Sequence, residues 1–366
     1  MESSKVYFID FRTNPKQNIL AKLRKLCTKA GLSDIEMAKK FVAIKLHFGE
    51  PGNMSYLRPN YVAVVVKMIQ ENGGLAFLTD ANTLYKGRRS NGVDHIQSAH
   101  ENGFNSIAVG CNIVIADGIK GTEYREIEIN QKHCKTAKIG SAIADSDVVV
   151  TLSHFKGHEM TGFGGALKNV GMGCGSVGGK LEMHSNAKPA IDTDKCTACK
   201  VCERNCNHDA VHVIDKKAVI DYDKCVGCGQ CIAVCVYGAA QAQNDSEGLQ
   251  EKIAEYSYAV LKDKPAFFVN FLMDISPECD CWHFNDTPIV PNIGILASTD
   301  PVAIDKASAD LVNKAQANHN CMLDDHTHSS DDKFNALHPT TDWKLCLNYA
   351  EELGLGTQQY ELIKID

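Results

Sequence analysis

The sequence predicts an α/β fold, a body with helices packed on its sheets, interrupted near its middle by a small cysteine-rich module. Three observations predict it. Strand-like runs alternate with helical periodicities on both sides of the module, which argues sheets covered by helices on both faces. Glycines close several of the helical stretches. Between the two halves, CTACKVCERNC from Cys196 and CVGCGQCIAVC from Cys225 repeat one cysteine spacing at a distance of twenty-nine residues.

In chain order, the strand-like run VYFIDF precedes the helical PKQNILAKLRKLCTKAG, and FVAIKLHF precedes RPNYVAVVVKMIQENGG. GLAFLT then leads into VDHIQSAHENG, and CKTAKIGSAIADS reads as a further helix before DVVVTLSH. Gly31, Gly73 and Gly103 stand where the first three helices should stop. After the cysteines come the helix SEGLQEKIAEYSYAVLKD, the strand AFFVNFLM and the helix DPVAIDKASADLVNKA. Pro301 suits a first helical turn and Asp300 its N-cap, and Asp305 has an equally structural explanation within that helix. The expected organisation is an α/β segment over 1–188, the cysteine module over 189–243, and a segment completing the body over 244–366.

Composition bounds the function. With 366 residues, a net charge of −7 and 44% hydrophobic residues, the chain reads as ordinary globular protein. That charge argues against a nucleic-acid surface, which needs clustered Lys and Arg. No apolar run approaches the about eighteen residues of a membrane span. MESSKVYFIDF lacks a basic region followed by an apolar one, so an exported protein is not expected. Sixteen cysteines in so long a chain suggest reduced thiols serving metals in a cytoplasm, not a disulfide scaffold.

Each cysteine stretch has the form C-x2-C-x2-C-x3-C. That is the bacterial ferredoxin run, in which the fourth cysteine ligates the other of two 4Fe–4S clusters. The expected ligand sets are therefore Cys196, Cys199, Cys202 and Cys235 for one cluster, and Cys225, Cys228, Cys231 and Cys206 for the other. Zinc-type pairs or idle thiols are the alternative, and the tight spacing argues against it. AVHVIDKKAVIDYDKC between them supplies short apolar strands. The ferredoxin pattern places proline after each fourth cysteine, whereas Asn207 and Val236 stand here. Residues 190–240 hold seven acidic and six basic side chains, unlike an acidic carrier steered to a basic partner.

The most chemically loaded stretch follows DVVVTLSH: HFKGHEMTGFGGALKNVGMGCGSVGGK, with His154, Lys156, His158, Lys168, Cys174 and Lys180 among nine glycines. Ligands of such sheets bind beyond the strands' carboxyl ends, so this glycine-rich loop is the expected site. His154, His158 and Lys168 are the candidate catalytic groups; Gly162, Gly164, Gly165 and Lys156 would cradle a cofactor or substrate. A loop carrying glycine for turn geometry alone is the alternative. Lys45 and His47 lie two apart at another strand end, where a substrate carboxylate would be met, and Asp80 has the same address. Cys279, Cys281 and His283, with His319, Cys321, His326 and His328, offer thiolate and imidazole for an additional metal ion, or an ordinary polar surface. Cys27, Cys111, Cys134 and Cys346 share no spacing and read as core thiols.

The motifs DVVVTLSHFKGH, GFGGALKNVGMG and ILASTDPVAIDKASAD, together with the cysteine module, resemble domain-of-unknown-function family 362 over nearly the whole chain. That resemblance implies an iron–sulfur protein of an anaerobe and no particular reaction. His154, His158, Gly162, Phe163, Gly164, Gly165 and Lys168 also resemble a segment of the nickel-pincer lactate racemases. There the lysine tethers a pyridinium-derived cofactor and histidines serve metal and proton transfer; one extra residue precedes Lys168 here, and the resemblance implies the site's location and a two-lobed α/β body. The expected function is an iron–sulfur oxidoreductase whose clusters exchange electrons with a substrate or cofactor at the loop. Alternatives are a ferredoxin-like electron-transfer protein serving a redox partner, and racemase-like non-redox chemistry with structural clusters.

Overall fold

A computed structural model describes residues 3–84, 87–185, 189–206, 208–225, 230–235, 237–242, 248–323, 332–339 and 341–365. One mixed sheet organises the body. Its strand order is Tyr360–Lys364, Ser4–Asp10, Gly294–Ser298, Ala266–Leu272, Val148–His154, Phe41–Lys45, Leu75–Asp80 and Ile113–Ile115. Gly294–Ser298 pairs antiparallel with both neighbours, and all the other pairings are parallel.

Each face of the sheet carries its own core. Val148, Val150, Leu152, Val42 and Ile44 point to the face covered by helices Ile19–Lys29 and Pro59–Glu71. Val149, Phe268 and Leu272 point to the other, covered by helices Ala166–Cys174, Leu249–Leu261, Pro301–Lys314 and Lys344–Glu352. Strand Val148–His154 is buried throughout, as a central parallel strand covered on both faces must be. The helix after Phe41–Lys45 covers one face and the helix after Val148–His154 the other. These adjacent strands therefore form a topological switch point, where a crevice opens beyond their carboxyl ends.

Gly31, Gly73 and Gly103 follow their helices with φ of 95°, 76° and 86°, the left-handed geometry of helix ends. Asp300 caps its helix by accepting from the Val302 and Ala303 amides at 2.9 and 2.8 Å.

Two expectations are overturned. CKTAKIGSAIADS is mainly a strand, Thr136–Gly140, paired with Tyr124–Glu128; only Ser141–Ala144 is helical. Ala137 and Ile139 are buried while Thr136 and Lys138 are not, so a period of two prevails over the helical one. The glycine-rich stretch is not simply a loop: Lys156–His158 and Gly162–Gly164 form a hairpin, and helices Ala166–Cys174 and Val177–Ser185 follow. Its helical glycines serve close packing. A Cβ on Gly171 would lie 2.2 Å from the Ile253 carbonyl oxygen, and one on Gly173 would lie 2.4 Å from Lys45 Nζ. The first of these helices has Gly165 at its N-cap, so Asp305 takes over the capping, accepting from the Ala166 and Leu167 amides at 2.7 and 2.9 Å.

Residues 189–242 contain hairpin Val211–Ile214 with Lys217–Ile220, the pair Pro189–Ile191 with Ala240–Ala242, and the four-residue helices Val201–Arg204 and Gln230–Ala233. Cys202, Cys231, Cys235, Val211 and Ile220 build a small separate core there.

Candidate active site

A cavity of about 130 Å³ opens at the carboxyl ends of Phe41–Lys45, Leu75–Asp80 and Val148–His154. Cavities of that size hold a molecule on the scale of benzene. Lys45, His47, Asp80, His154, Lys156, His158, Gly165 and Lys168 all line it, so residues far apart in sequence share one chamber. Gly162 and Gly164 lie in the adjoining hairpin and are not part of its wall.

One end is a buried charge network. Lys45 Nζ lies 2.9 Å from Asp80 and donates to Asn169 Oδ1 at 2.7 Å, while Asn169 donates to Ser153 Oγ at 3.0 Å. Burial opposes ionisation of Asp80, but Lys45 and His95 outweigh it and hold the carboxyl well below the usual range. Arg89 pairs with Glu50 at 2.8 Å and lies 3.8 Å from Asp80. Its Nη2 is buried without a hydrogen-bond partner among the described residues, although the side chain lines the cavity. His47 Nδ1 accepts from the Gly49 amide at 3.0 Å, and burial together with the Arg89 charge holds the ring neutral. Burial also pushes Lys180 down to about 8 and His184 to about 3.

The other end is built on the turn Cys279–Trp282, closed by the Trp282 amide donating to the Cys279 carbonyl at 3.1 Å. Asp280 lies 2.9 Å from His154 Nδ1 and 3.8 Å from Lys156 Nζ. His154 Nε2 faces the Met273 carbonyl at 2.8 Å, so both ring nitrogens meet acceptors and the ring is fixed in place. Lys168 Nζ donates to Cys279 Sγ at 3.2 Å, and His158 Nδ1 accepts from the Met160 amide at 3.1 Å. Burial opposes ionisation of Asp280, yet His154 and Lys156 hold its carboxyl far below its ordinary value of 3.8. Its stabilising contribution is therefore complete above that ordinary value and is lost as pH falls towards the folded one. Asp280→Asn is expected to cost about 3–5 kcal/mol, because it removes the buried carboxylate that faces the Lys156 ammonium and the His154 ring. Chemical denaturation of variant and wild type near neutral pH checks this.

Sequence reasoning singled out neither Arg89 nor Asp280, and it did not pair Lys168 with Cys279; His184 also escaped it. Among the described residues, the candidates for an additional metal do not converge. Cys279 and Cys281 sit by the cavity, His283 and His319 are exposed, and Cys321 is buried with its thiol against the Asn318 carbonyl at 3.0 Å. His326 and His328 lie outside the described residues. No group of three or more His, Cys, Asp or Glu arranged to hold a metal ion occurs among the described residues.

In the cysteine module, Cys196, Cys199, Cys202 and Cys235 together line one small cavity. Amide N–H groups point at the sulfurs: Ala218 to Cys196 and Ala210 to Cys206 at 3.3 Å, and Ala239 to Cys235 at 3.2 Å. Such donors stabilise thiolates and tune cluster potentials. Four cysteines around one cavity, with amide donors on their sulfurs, are the donor chemistry that a 4Fe–4S cluster takes. Cys206, Cys225 and Cys231 belong to the same module, whereas Cys228, Asn207 and Val236 lie outside the described residues.

The family profile described as "Domain of unknown function (DUF362)" matches residues 42–310. The chain belongs to this family. DUF362 thus spans the switch-point strands, the cavity and the cysteine module. None of the curated proteins matches the chain. Among solved structures, it is similar to the lactate racemase apoprotein from Thermoanaerobacterium thermosaccharolyticum, at 12% identity over 73% of this chain and 51% of that one, with a TM-score of 0.39. It is also similar to a protein from Thermotoga maritima, at 12% identity over 69% of this chain and 49% of that one, with a TM-score of 0.35. The chain spans about half the length of both. No helix among the described residues is long and apolar enough to cross a membrane.

Proposed function

We propose that this DUF362 protein is a cytoplasmic iron–sulfur oxidoreductase, in which two 4Fe–4S clusters exchange electrons with a small anionic substrate or cofactor in the cavity. One cluster would be held by Cys196, Cys199, Cys202 and Cys235, the other by Cys225, Cys228, Cys231 and Cys206. When bound, these clusters supply single electrons. The observation that carries the reading is the helix Val177–Ser185. Its Val177 and Leu181 pack into the core of the cysteine module, while Lys180 and His184, one turn apart, line the cavity. One helix thus separates the cysteines from the chamber, and Leu84 touches both as well. A carrier without a substrate has no use for that coupling.

The ligand is read as anionic because five cations, Lys45, Lys156, Lys168, Lys180 and Arg89, line the wall; Asp80, Asp280 and Glu50 face Lys45, Lys156 and Arg89, and one guanidinium nitrogen is left over among the described residues. Arg89 Nη2, buried and unpartnered, is a donor awaiting an acceptor. Lys45 and Arg89 would bind the anion, and His47 and His158 would hold or move a proton beside it. Lys180 loses its charge as pH rises through about 8, so an anionic acceptor is expected to bind more weakly above that value. Its KM measured across that range reads the effect directly.

The test is anaerobic reduction of the clusters by a low-potential donor, then reoxidation by a panel of small carboxylates and other anions. Reoxidation by a subset of the panel supports the enzyme. If only redox proteins reoxidise the clusters, the chain is an electron carrier. Tightly bound zinc without labile sulfide removes the iron–sulfur reading altogether.

A further inference from the structure

The Cys279–Trp282 turn has a chemistry that the proposed function does not use. We propose that Cys279 and Cys281 form a dithiol–disulfide couple where the cavity meets solvent, exchanging with low-molecular-weight disulfides while Lys168 supports the buried thiolate.

The geometry divides the labour. Cys279 is 1% exposed, whereas Cys281 is exposed and lines the cavity, so a partner disulfide reaches only the second sulfur. The two are held together by the turn: the Cys281 amide donates to Cys279 Sγ at 3.4 Å, and the Trp282 amide closes it. Asp280 between them is anchored by His154 and Lys156, which ties the turn to the cavity wall. Lys168 Nζ stands 3.2 Å from Cys279 Sγ, with no carboxylate inserted between them. Burial alone would raise the Cys279 thiol. The hydrogen bond from Cys281 and the Lys168 charge reverse this and hold it well below its ordinary value, while Cys281 rises correspondingly. The pair therefore shares one proton. Cysteines two apart close a small ring, and strained disulfides are the labile, catalytic kind.

The exchange balances as follows. The Cys281 thiol passes its proton to Cys279 across their hydrogen bond, and the Cys281 thiolate attacks one sulfur of a disulfide RSSR. A Cys281–SR bond forms, the S–S bond of RSSR breaks, and RS⁻ leaves and takes the proton from Cys279. The restored Cys279 thiolate attacks Cys281, forming the Cys279–Cys281 bond and releasing a second RS⁻. The protein pair loses two electrons and RSSR gains two, giving RSH and RS⁻.

This inference does not rest on the clusters, and its readout is a peptide mass. The anaerobic holoprotein is equilibrated over a range of reduced-to-oxidised glutathione ratios, acid-quenched, alkylated and digested. The peptide carrying both cysteines should pass from doubly alkylated to an internal disulfide in one transition, reversed by dithiothreitol. Cys279→Ser should stop at a glutathione adduct on Cys281. Lys168→Gln should slow closure of the ring at neutral pH by about tenfold or more, so that the glutathione adduct on Cys281 accumulates, because it removes the charge that supports the Cys279 thiolate, the attacking group of that step. A wild-type peptide that stays doubly alkylated at every ratio, or that stops at a glutathione adduct without closing the ring, overturns the proposal. So does an unchanged rate of ring closure in Lys168→Gln.

Discussion

Replacing Cys235 by alanine is expected to remove about four of eight irons from the anaerobically reconstituted protein, and replacing Cys206 to remove the other four. The reason is that each fourth cysteine serves the other stretch's cluster. Cys235 lies in the second run, yet it shares its cavity with Cys196, Cys199 and Cys202 of the first. Pairs of substitutions separate this crossed arrangement from a local one. Cys202→Ala with Cys235→Ala should lose no more iron than either alone, because both strike one cluster. Cys231→Ala with Cys235→Ala should lose nearly all of it. Iron and acid-labile sulfide analysis reads the outcome, with low-temperature electron paramagnetic resonance of the reduced protein to count the clusters left. The opposite pattern, additive loss within the first pair and none within the second, would mean that each stretch holds its own cluster. Zinc in place of iron and sulfide would end the cluster assignment.

The contrast between what the sequence revealed and what it hid has a physical origin. VYFIDF, FVAIKLHF, GLAFLT, DVVVTLSH and AFFVNFLM all announce their strands, because strands covered on both faces need unbroken apolar side chains. Ile113–Ile115 is too short to show a pattern, and Tyr360–Lys364 is an edge strand with charged residues. Contacts between distant positions were hidden in a different way. Lys168 meets Cys279 across 111 residues and His154 meets Asp280 across 126, so nothing local to either partner reports the pair. Lys168 was visible as a chemical group, but its partner was not. Arg89 lies in a loop without periodicity, and only burial shows that its guanidinium faces the chamber. The glycines misled for a further reason. Density of glycine signals either turns or close approach, and only the packed structure separates the two: Gly171 and Gly173 make room for Ile253 and Lys45.

His158→Gln is expected to lower substrate turnover by about a hundredfold or more while leaving cluster content and reducibility intact, since removing one proton-transfer group typically costs that much. His158 is the informative position for three reasons. It lines the cavity, its Nδ1 is held by the Met160 amide, and it stands outside both the Asp280 network and the cysteine module. Its loss should therefore leave the fold and the clusters in place. Lys168→Ala should lower turnover to a similar extent by removing a charge that stabilises the anion, but it also frees Cys279 and so disturbs two chemistries at once. Comparing the two variants separates these effects. If the chamber is where electrons meet substrate, both variants reduce normally with a low-potential donor, and both fail to pass electrons to the acceptor that oxidises wild type. An electron carrier has no such dependence. There, substitutions on the surface beside the cysteine module would slow delivery to a partner protein, and His158→Gln would matter little. Reoxidation rates equal to wild type in both variants, with every acceptor that wild type uses, would transfer the assignment to the carrier, because no step of the reaction would then pass through the cavity.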